Sequence, residues 1–420
     1  MLLVELERTG RNHWQASDSL DELAELARSA GAVIVDRVTQ KLTQPTPAHF
    51  IGRGKAEELA AKYVSGVPEA ERVTSVVFDD DLSPAQAGNL QEIFGCKVLD
   101  RTELILDIFA QRARTREGKL QIELAQLQYM LPRLTRLWTH LSRQYGGIGA
   151  RGPGETQLEV DRRRIEERIR RLRAGIAEVR KHRTVMRSGR RRHEWPIVAI
   201  IGYTNAGKST LLNALTDAHV VAEDKLFATL DPTTRRLRLA NNRNVLLTDT
   251  VGFLRRLPHH LVDSFYATLE EVVEADVLIH VVDASHPQVL DQITAVNQVL
   301  HELKAAQKST VTALNKTDRM ENRALLDRLS RETPNAVAIS ALKKTGFDVL
   351  LSELSVQLTP RHEFVRLAIP TGQTALVARI HRDGQVLQKK FAGGRCELDA
   401  KVPPSMLAEL QPYRRDDASV

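Results

Sequence analysis

Two glycines five positions apart, then lysine and serine, constrain this chain more than any other feature: Gly202-Tyr203-Thr204-Asn205-Ala206-Gly207-Lys208-Ser209. The apolar run Pro196-Ile197-Val198-Ala199-Ile200-Ile201 precedes it and Thr210-Leu211-Leu212-Asn213-Ala214-Leu215 follows, which predicts a buried strand, a tight turn and a helix. Glycine lets backbone N–H groups close around an anion, and the helix N-terminus adds positive potential there. The full pattern G-x-x-x-x-G-K-[ST] therefore reads as a phosphate-binding loop. Gly202, Tyr203, Thr204, Asn205, Ala206, Gly207, Lys208, Ser209 and Thr210 are its candidate nucleotide contacts, with Lys208 reaching β and γ phosphates and Ser209 offering an oxygen to Mg²⁺.

At 420 residues the chain exceeds one hydrophobic core and predicts two to four domains. With Cys96 and Cys396 alone and no run of about 18 apolar residues, it reads as a soluble cytoplasmic protein without a disulfide framework or membrane insertion, a monomer when free. The net charge of +7 is unevenly spread: Arg112 to Arg192 holds 22 Lys/Arg against 8 Asp/Glu, and the remainder is slightly acidic. Such concentration reads as a footprint for a polyanion, with nucleic acid as the first choice and a solvated helix surface as the alternative.

The first 105 residues read as a small α/β domain. Helices are expected over Ser19 to Ala27, Lys55 to Val64 and Ser83 to Phe94, and extended segments over Ala32 to Asp36, Thr74 to Phe78 and Lys97 to Leu99. Gly52-Arg53-Gly54-Lys55 could hold an anion at a helix start but lacks the full loop spacing. The acid triplet Asp79-Asp80-Asp81 could hold a metal, and a solvated strand end is the reading preferred for it.

Residues 106–192 read as a basic helical hairpin. Apolar or aromatic positions 120, 124, 127, 131, 134, 138 and 141 form one seam, and Leu158, Ile165, Ile169, Leu172, Ile176 and Val179 another. Pro132 predicts a kink in the first arm. Arg162, Arg163, Arg164, Arg170, Arg171 and Arg173 crowd the second. The joining loop, residues 144–157, carries Gly146, Gly147, Gly149, Gly152 and Gly154, and its length suits an inserted probe.

Within residues 193–360 further motifs follow, each expected at a strand end. Asp249-Thr250-Val251-Gly252 puts a carboxylate near Mg²⁺ and the Gly252 N–H near a γ phosphate. Asn315-Lys316-Thr317-Asp318 supplies a carboxylate that can accept from guanine N1 and N2, a donor pair adenine lacks. Ser340-Ala341-Leu342 suits a loop whose N–H meets guanine O6. The expected fold is a doubly wound sheet with nucleotide at the strand C-termini. Phe227-Ala228-Thr229-Leu230-Asp231-Pro232-Thr233-Thr234 reads as the first switch, where a threonine hydroxyl meets Mg²⁺; Thr229 is preferred, with Thr233 and Thr234 as alternatives. Catalytic candidates are Lys208, Thr229 and Gly252, and metal candidates Ser209, Thr229 and Asp249. Residues 361–420 read as a βαββα unit, an α+β sandwich serving either as a contact surface for a partner or as a packing module.

The chain resembles the bacterial HflX family of translation-factor-class GTPases, related to the Obg group. Phe50-Ile51-Gly52-Arg53-Gly54-Lys55, Phe78-Asp79-Asp80-Asp81-Leu82-Ser83-Pro84, the Gly146 to Glu155 loop, Phe227 to Arg235 and Gly252 to Val262 carry the resemblance. It implies GTP hydrolysis with Mg²⁺, binding to the large ribosomal subunit and the 70S ribosome, rRNA contact through the hairpin, and splitting of stalled ribosomes under stress such as heat. It also raises ATP as a second nucleotide, although the chain has one full phosphate loop. Two rival functions stand beside it: a nucleotide-regulated RNA remodeller and a signalling GTPase with a protein effector.

Phe253 occupies the position where Ras-type GTPases place a water-orienting glutamine. A phenyl ring cannot orient water. Slow intrinsic hydrolysis is expected, with the missing group supplied by another residue or a partner; His259 or His260 could replace the glutamine, but the preferred reading for them is switch-surface histidines that merely follow Pro258.

Overall fold

The computed structural model describes residues 1–8, 16–137, 153–191, 195–216, 226–227, 230–239, 243–255, 269–320, 323–358 and 363–415. They divide into two units, Met1–Leu351 and Ser352–Val420.

The first unit opens with β1 (Leu2–Arg8), α1 (Ala16–Ser29), β2 (Asp36–Leu42), α2 (Arg53–Ala60), β3 (Ser75–Phe78), α3 (Pro84–Phe94) and β4 (Lys97–Asp100). The four strands are parallel in the order β2-β1-β3-β4. Leu2 and Val4 enter one core and Leu3 the other, as the period of a strand covered on both faces requires. Two expectations change here. The opening strand was not foreseen, and the strand expected over Ala32 to Asp36 pairs only from Asp36 onward. At α3 the sequence signal is realised in full: the Ser83 side chain accepts from the Gln86 N–H and Gln86 bonds back to Ser83, with Pro84 at the first helical position.

The acid triplet is solvated only at Asp81, which is exposed, and it does not act as one cluster. Asp79 is buried against Arg101 at 2.6 Å, Asp80 meets Arg8 at 3.3 Å, and Asp81 accepts from the Thr102 hydroxyl. Arg53 and Lys55 of the Gly-Arg-Gly-Lys stretch pair with Glu57 and Glu58 on their own helix.

α4 (Arg101–Arg112) and α5 (Arg116–Leu137) follow, then α6 (Pro153–Arg191). Glu123 pairs with Arg168 and Leu120 touches Gly175, so α5 and α6 run antiparallel as the two seams predict. Helix α5 has a second buried stripe, Ile122, Ala125 and Tyr129, which enters the core formed with Ile105 and Phe109 of α4. The first arm of the hairpin is thus also a wall of a core that runs from Leu3 and α1 through to Ala199 and Ile201 of the central sheet. Asp100 fastens it: its carboxylate accepts from the Tyr129 hydroxyl, from Arg133 at 3.0 Å and from the Leu82 N–H at 3.2 Å, and caps α4 through the Glu103 N–H. Burial pushes the Asp100 carboxyl up, and these donors pull it back. On α6, Arg162, Arg163, Arg164 and Arg171 pair with carboxylates within the arm, while Arg170 and Arg173 are exposed. The loop expected over residues 144–157 ends earlier than that, because α6 already begins at Pro153; residues 138–152 lie outside the described residues.

The six-stranded sheet has the order β10-β9-β8-β5-β7-β6. Its strands are β5 (Ile197–Gly202), β6 (Thr233–Arg238), β7 (Asn244–Asp249), β8 (Val277–Asp283), β9 (Ser309–Asn315) and β10 (Ala336–Ala338), with β6 alone antiparallel. Helices among the described residues include α7 (Lys208–Thr216), α8 (Val289–Glu302), α9 (Arg323–Glu332) and α10 (Phe347–Leu358), and residues 269–274 are also helical. Chain order reverses around β5, so the crevice after this strand is where a parallel α/β sheet offers a ligand site.

In the second unit β11 (Glu363–Pro370), α11 (Thr374–Asp383), β12 (Gln385–Ala392), β13 (Arg395–Val402) and α12 (Pro404–Leu410) give the βαββα order read from sequence. The antiparallel sheet is ordered β11-β13-β12, and Val365, Leu367, Ile369, Leu398 and Ala400 pack with Ile380, Met406 and Leu410. Among the described residues no helix is long and apolar enough to cross a membrane.

Removing Arg101 strands the carboxylates of Asp79 and Glu22, both within 3.0 Å of its guanidinium, in a buried setting. Arg101→Ala should lower stability by about 3–5 kcal/mol, read as a lower urea midpoint for the full chain. An unchanged midpoint would refute this assignment.

Candidate nucleotide site

At the C-terminal end of β5 the chain turns through Gly202, φ +149°, and Gly207, φ +98°, before entering α7. Both turns require glycine: a Cβ at Gly202 would strike the Val281 carbonyl, and one at Gly207 the Asn315 amide. Asn205 holds a left-handed conformation at φ 60°. Lys208 is buried, and its ammonium donates to the Tyr203 carbonyl at 2.8 Å across the loop. Burial brings its pKa down to about 8, with Asp249 acting in the opposite sense. Ser209 donates to Asp249 Oδ2 at 2.7 Å, joining two oxygen donors at the end of β7. Thr210 lies in the first turn of α7.

The stretch after β7 is laced to the loop through its backbone. Phe253 N–H donates to the Gly202 carbonyl at 3.0 Å, and Thr204 N–H donates to the Phe253 carbonyl at 2.8 Å. Gly252 is wedged between Lys208 and Thr204: a Cβ there would lie 2.8 Å from the Lys208 nitrogen and 2.8 Å from Thr204 Cα. Thr250 spends its hydroxyl on the Ile200 carbonyl at 2.7 Å, and Val251 and Phe253 are buried, so these side chains serve packing. Thr234 shares a 3.0 Å hydroxyl contact with Thr248, and Thr233 stands across the ladder from Asp249. Ala228 and Thr229 lie outside the described residues, as do His259 and His260.

Asn315 works as a cross-brace. Its side chain donates to the Ala206 carbonyl at 2.8 Å and accepts from the Ala341 N–H at 2.9 Å, tying the phosphate loop to the Ser340-Ala341-Leu342 loop. Lys316 adopts φ 62° and pairs with Asp283 at 2.7 Å. Asp318 accepts from the Ser340 hydroxyl at 2.5 Å, and this bond holds its carboxyl below the usual range, ionised and able to accept from donors on a base. Leu342 is exposed at the rim.

Part of the surroundings had no local sequence signal. The Tyr203 hydroxyl donates to Glu22 of α1 at 2.8 Å and accepts the Arg255 N–H at 3.0 Å. Arg101 of α4 also reaches Glu22, at 3.0 Å, and donates to the Arg255 carbonyl at 3.2 Å. Burial works against the charge on Arg101, and Asp79 and Glu22 outweigh it and raise its pKa. Leu226 N–H donates to Ser29 of α1 at 3.1 Å, and the Phe227 ring packs edge-on to Phe109 of α4 with centroids 4.5 Å apart. Elements on both sides of the phosphate loop are therefore gripped by the N-terminal α/β domain.

A strand-to-helix phosphate loop, a carboxylate beside its serine, and two base-side loops braced by one asparagine together define a P-loop GTPase. The sequence matches family models described as GTP-binding GTPase N-terminal over residues 17–110, GTP-binding GTPase Middle Region over 112–190, and 50S ribosome-binding GTPase over 197–316. GTPase HflX of Lacrimispora saccharolytica is 46% identical, covering 94% of this chain and 92% of its own length. GTPase HflX of Escherichia coli K12 is 44% identical, covering 92% and 90%. The chain belongs to the HflX GTPase family, and its activity is hydrolysis of GTP. Among solved structures, a crystal structure of an SsGBP and GDP complex aligns with a TM-score of 0.49 at 25% identity, covering 85% of this chain and 98% of that one.

Gly207→Ala forces a Cβ into the Asn315 amide at a positive φ. Strain of about 1–3 kcal/mol at such a position should weaken GDP affinity at least about fivefold in a fluorescent-nucleotide titration. Wild-type affinity would show that the close approach of Gly207 to Asn315 is not needed for binding.

Proposed function

We propose that this GTPase binds the large ribosomal subunit in its GTP state, splits or rescues stalled ribosomes under stress such as heat, and leaves after hydrolysis. The observation that carries the reading is Phe253. It is 3% exposed, and its main chain is bonded to the phosphate loop on both sides. The position after Asp249-Thr250-Val251-Gly252 is thus a packing residue with no hydrogen-bonding group to turn toward water. Efficient hydrolysis then calls on a group from outside the described site. The family description of a 50S ribosome-binding GTPase over residues 197–316 points to the ribosome as its source, and the basic hairpin offers a surface for rRNA.

In this reading Lys208 and the loop N–H groups from Asn205 to Thr210 bind the phosphates, and the Gly252 N–H faces the γ phosphate. The Ser209 hydroxyl and Asp249 carboxylate, hard oxygen donors 2.7 Å apart, fit the ligand preference of Mg²⁺, with Thr229 as a further candidate. Such an ion, when bound, supplies neutralisation of charge on the β and γ phosphates. Asp318 accepts from guanine, Ser340 orients Asp318, and the backbone at Ala341 and Leu342 faces guanine O6, with Asn315 and Lys316 holding the two loops. Phe227 and Ala228 open the first switch and are candidate nucleotide contacts there. The chain would act in the cytoplasm, as a monomer when free, with residues 144–157 as the ribosome-facing probe.

The test is GTP hydrolysis with and without isolated large subunits, alongside Asp318→Asn supplied with GTP or XTP. Stimulation of at least about tenfold by the subunit, with the variant preferring XTP, is expected. No response to the subunit, with stimulation by a protein partner or free RNA, would overturn the ribosomal reading.

A further inference from the structure

Asp231 lies in the first switch by sequence, two residues before β6, yet its hydrogen bonds go to the foot of the hairpin. Its Oδ2 accepts the N–H groups of Arg114 at 3.0 Å and Thr115 at 2.9 Å, and its Oδ1 accepts the Thr115 hydroxyl at 2.5 Å. Thr115 immediately precedes α5, and its Oγ1 accepts the Gly118 N–H at 3.0 Å in the manner of a helix cap. The carboxylate therefore completes a cap belonging to another part of the chain, where negative charge also suits the helix dipole. Approach is close: a Cβ on Gly118 would lie 2.8 Å from Asp231 Oδ1.

The geometry has a mechanical consequence. Helix α5 is the first arm of the basic hairpin and is fastened to α6 through Glu123 and Arg168. A switch that changes position with the nucleotide cannot carry Asp231 away without undoing three hydrogen bonds at the start of that arm.

We propose that Asp231 is a positioning residue that couples the first switch to the hairpin, so that the cap on α5 differs between the GDP and GTP states. This deepens the proposed function and rests on its assignment of the first switch. A carboxylate serving stability alone would hold the cap equally in both states.

The test is amide hydrogen exchange of the full chain loaded with GDP or with a non-hydrolysable GTP analogue, with nucleotide protection of residues 202–209 confirming loading. In the wild type, the peptide spanning residues 113–118 should exchange at rates at least about tenfold apart between the two states. Asp231→Ala and Thr115→Val should each remove that difference, and Thr115→Ser, which keeps the hydroxyl, should restore it. Equal exchange in both loaded states of the wild type, or a difference that survives Asp231→Ala, would overturn the proposal. Exchange is read without ribosomes, so a chain that ignores the large subunit can still pass this test, and one that responds to it can still fail.

Discussion

A buried guanidinium holds the N-terminal α/β domain onto the nucleotide domain. Arg101 is surrounded by Asp79 and Glu22, and its remaining reach goes to the Arg255 carbonyl, just beyond the Asp249-Thr250-Val251-Gly252 stretch. An ion pair in such a setting is costly to bury and more costly to break, because each carboxylate depends on the same cation. Glu22 serves twice, since it also accepts from the Tyr203 hydroxyl. One side of the phosphate loop is consequently part of the interface between two domains.

The same economy runs through the site. Backbone bonds between Gly202, Thr204 and Phe253 make the loop and the stretch after β7 one short ladder, which explains why an apolar side chain can occupy position 253. Asn315 spans from that loop to the base-side loop, and Ser340 sets the Asp318 carboxylate. Motifs far apart in sequence are thus held together by single polar side chains that bridge them. The stretch before β6 is tied outward as well: Leu226, Phe227 and Asp231 meet α1, α4 and the start of α5 in turn. Domains meeting at a nucleotide loop in this way share their energetics, because neither surface is complete alone.

Much of this was legible from local patterns. The strand, loop and helix around Gly202 to Ser209, the cap at Ser83, the paired seams of the hairpin and the βαββα order of the C-terminal unit all depend on residues near one another in sequence. What escaped depends on distant partners. Strand β1 has no turn signal ahead of it to mark its start, and only its place between β2 and β3 makes it central. The second buried stripe of α5 was hidden because Ile122, Ala125 and Tyr129 interleave with the seam facing α6. Asp79, Asp80 and Asp81 look like a solvated cluster until Arg101, Arg8 and Thr102 arrive from elsewhere. Tyr203 reads only as one of the phosphate-loop contacts, and its partner Glu22 lies 181 positions away.

The central claim is that the N-terminal domain and the phosphate loop are energetically one unit through Tyr203 and Glu22. A double-mutant cycle with Tyr203→Phe, Glu22→Gln and the pair, read in GDP affinity and in kcat/KM for GTP, tests it most directly. The account predicts a coupling energy of about 0.5–3 kcal/mol between these contacting residues. Effects that add to within about 0.3–0.5 kcal/mol would contradict it and leave the two domains as independent neighbours.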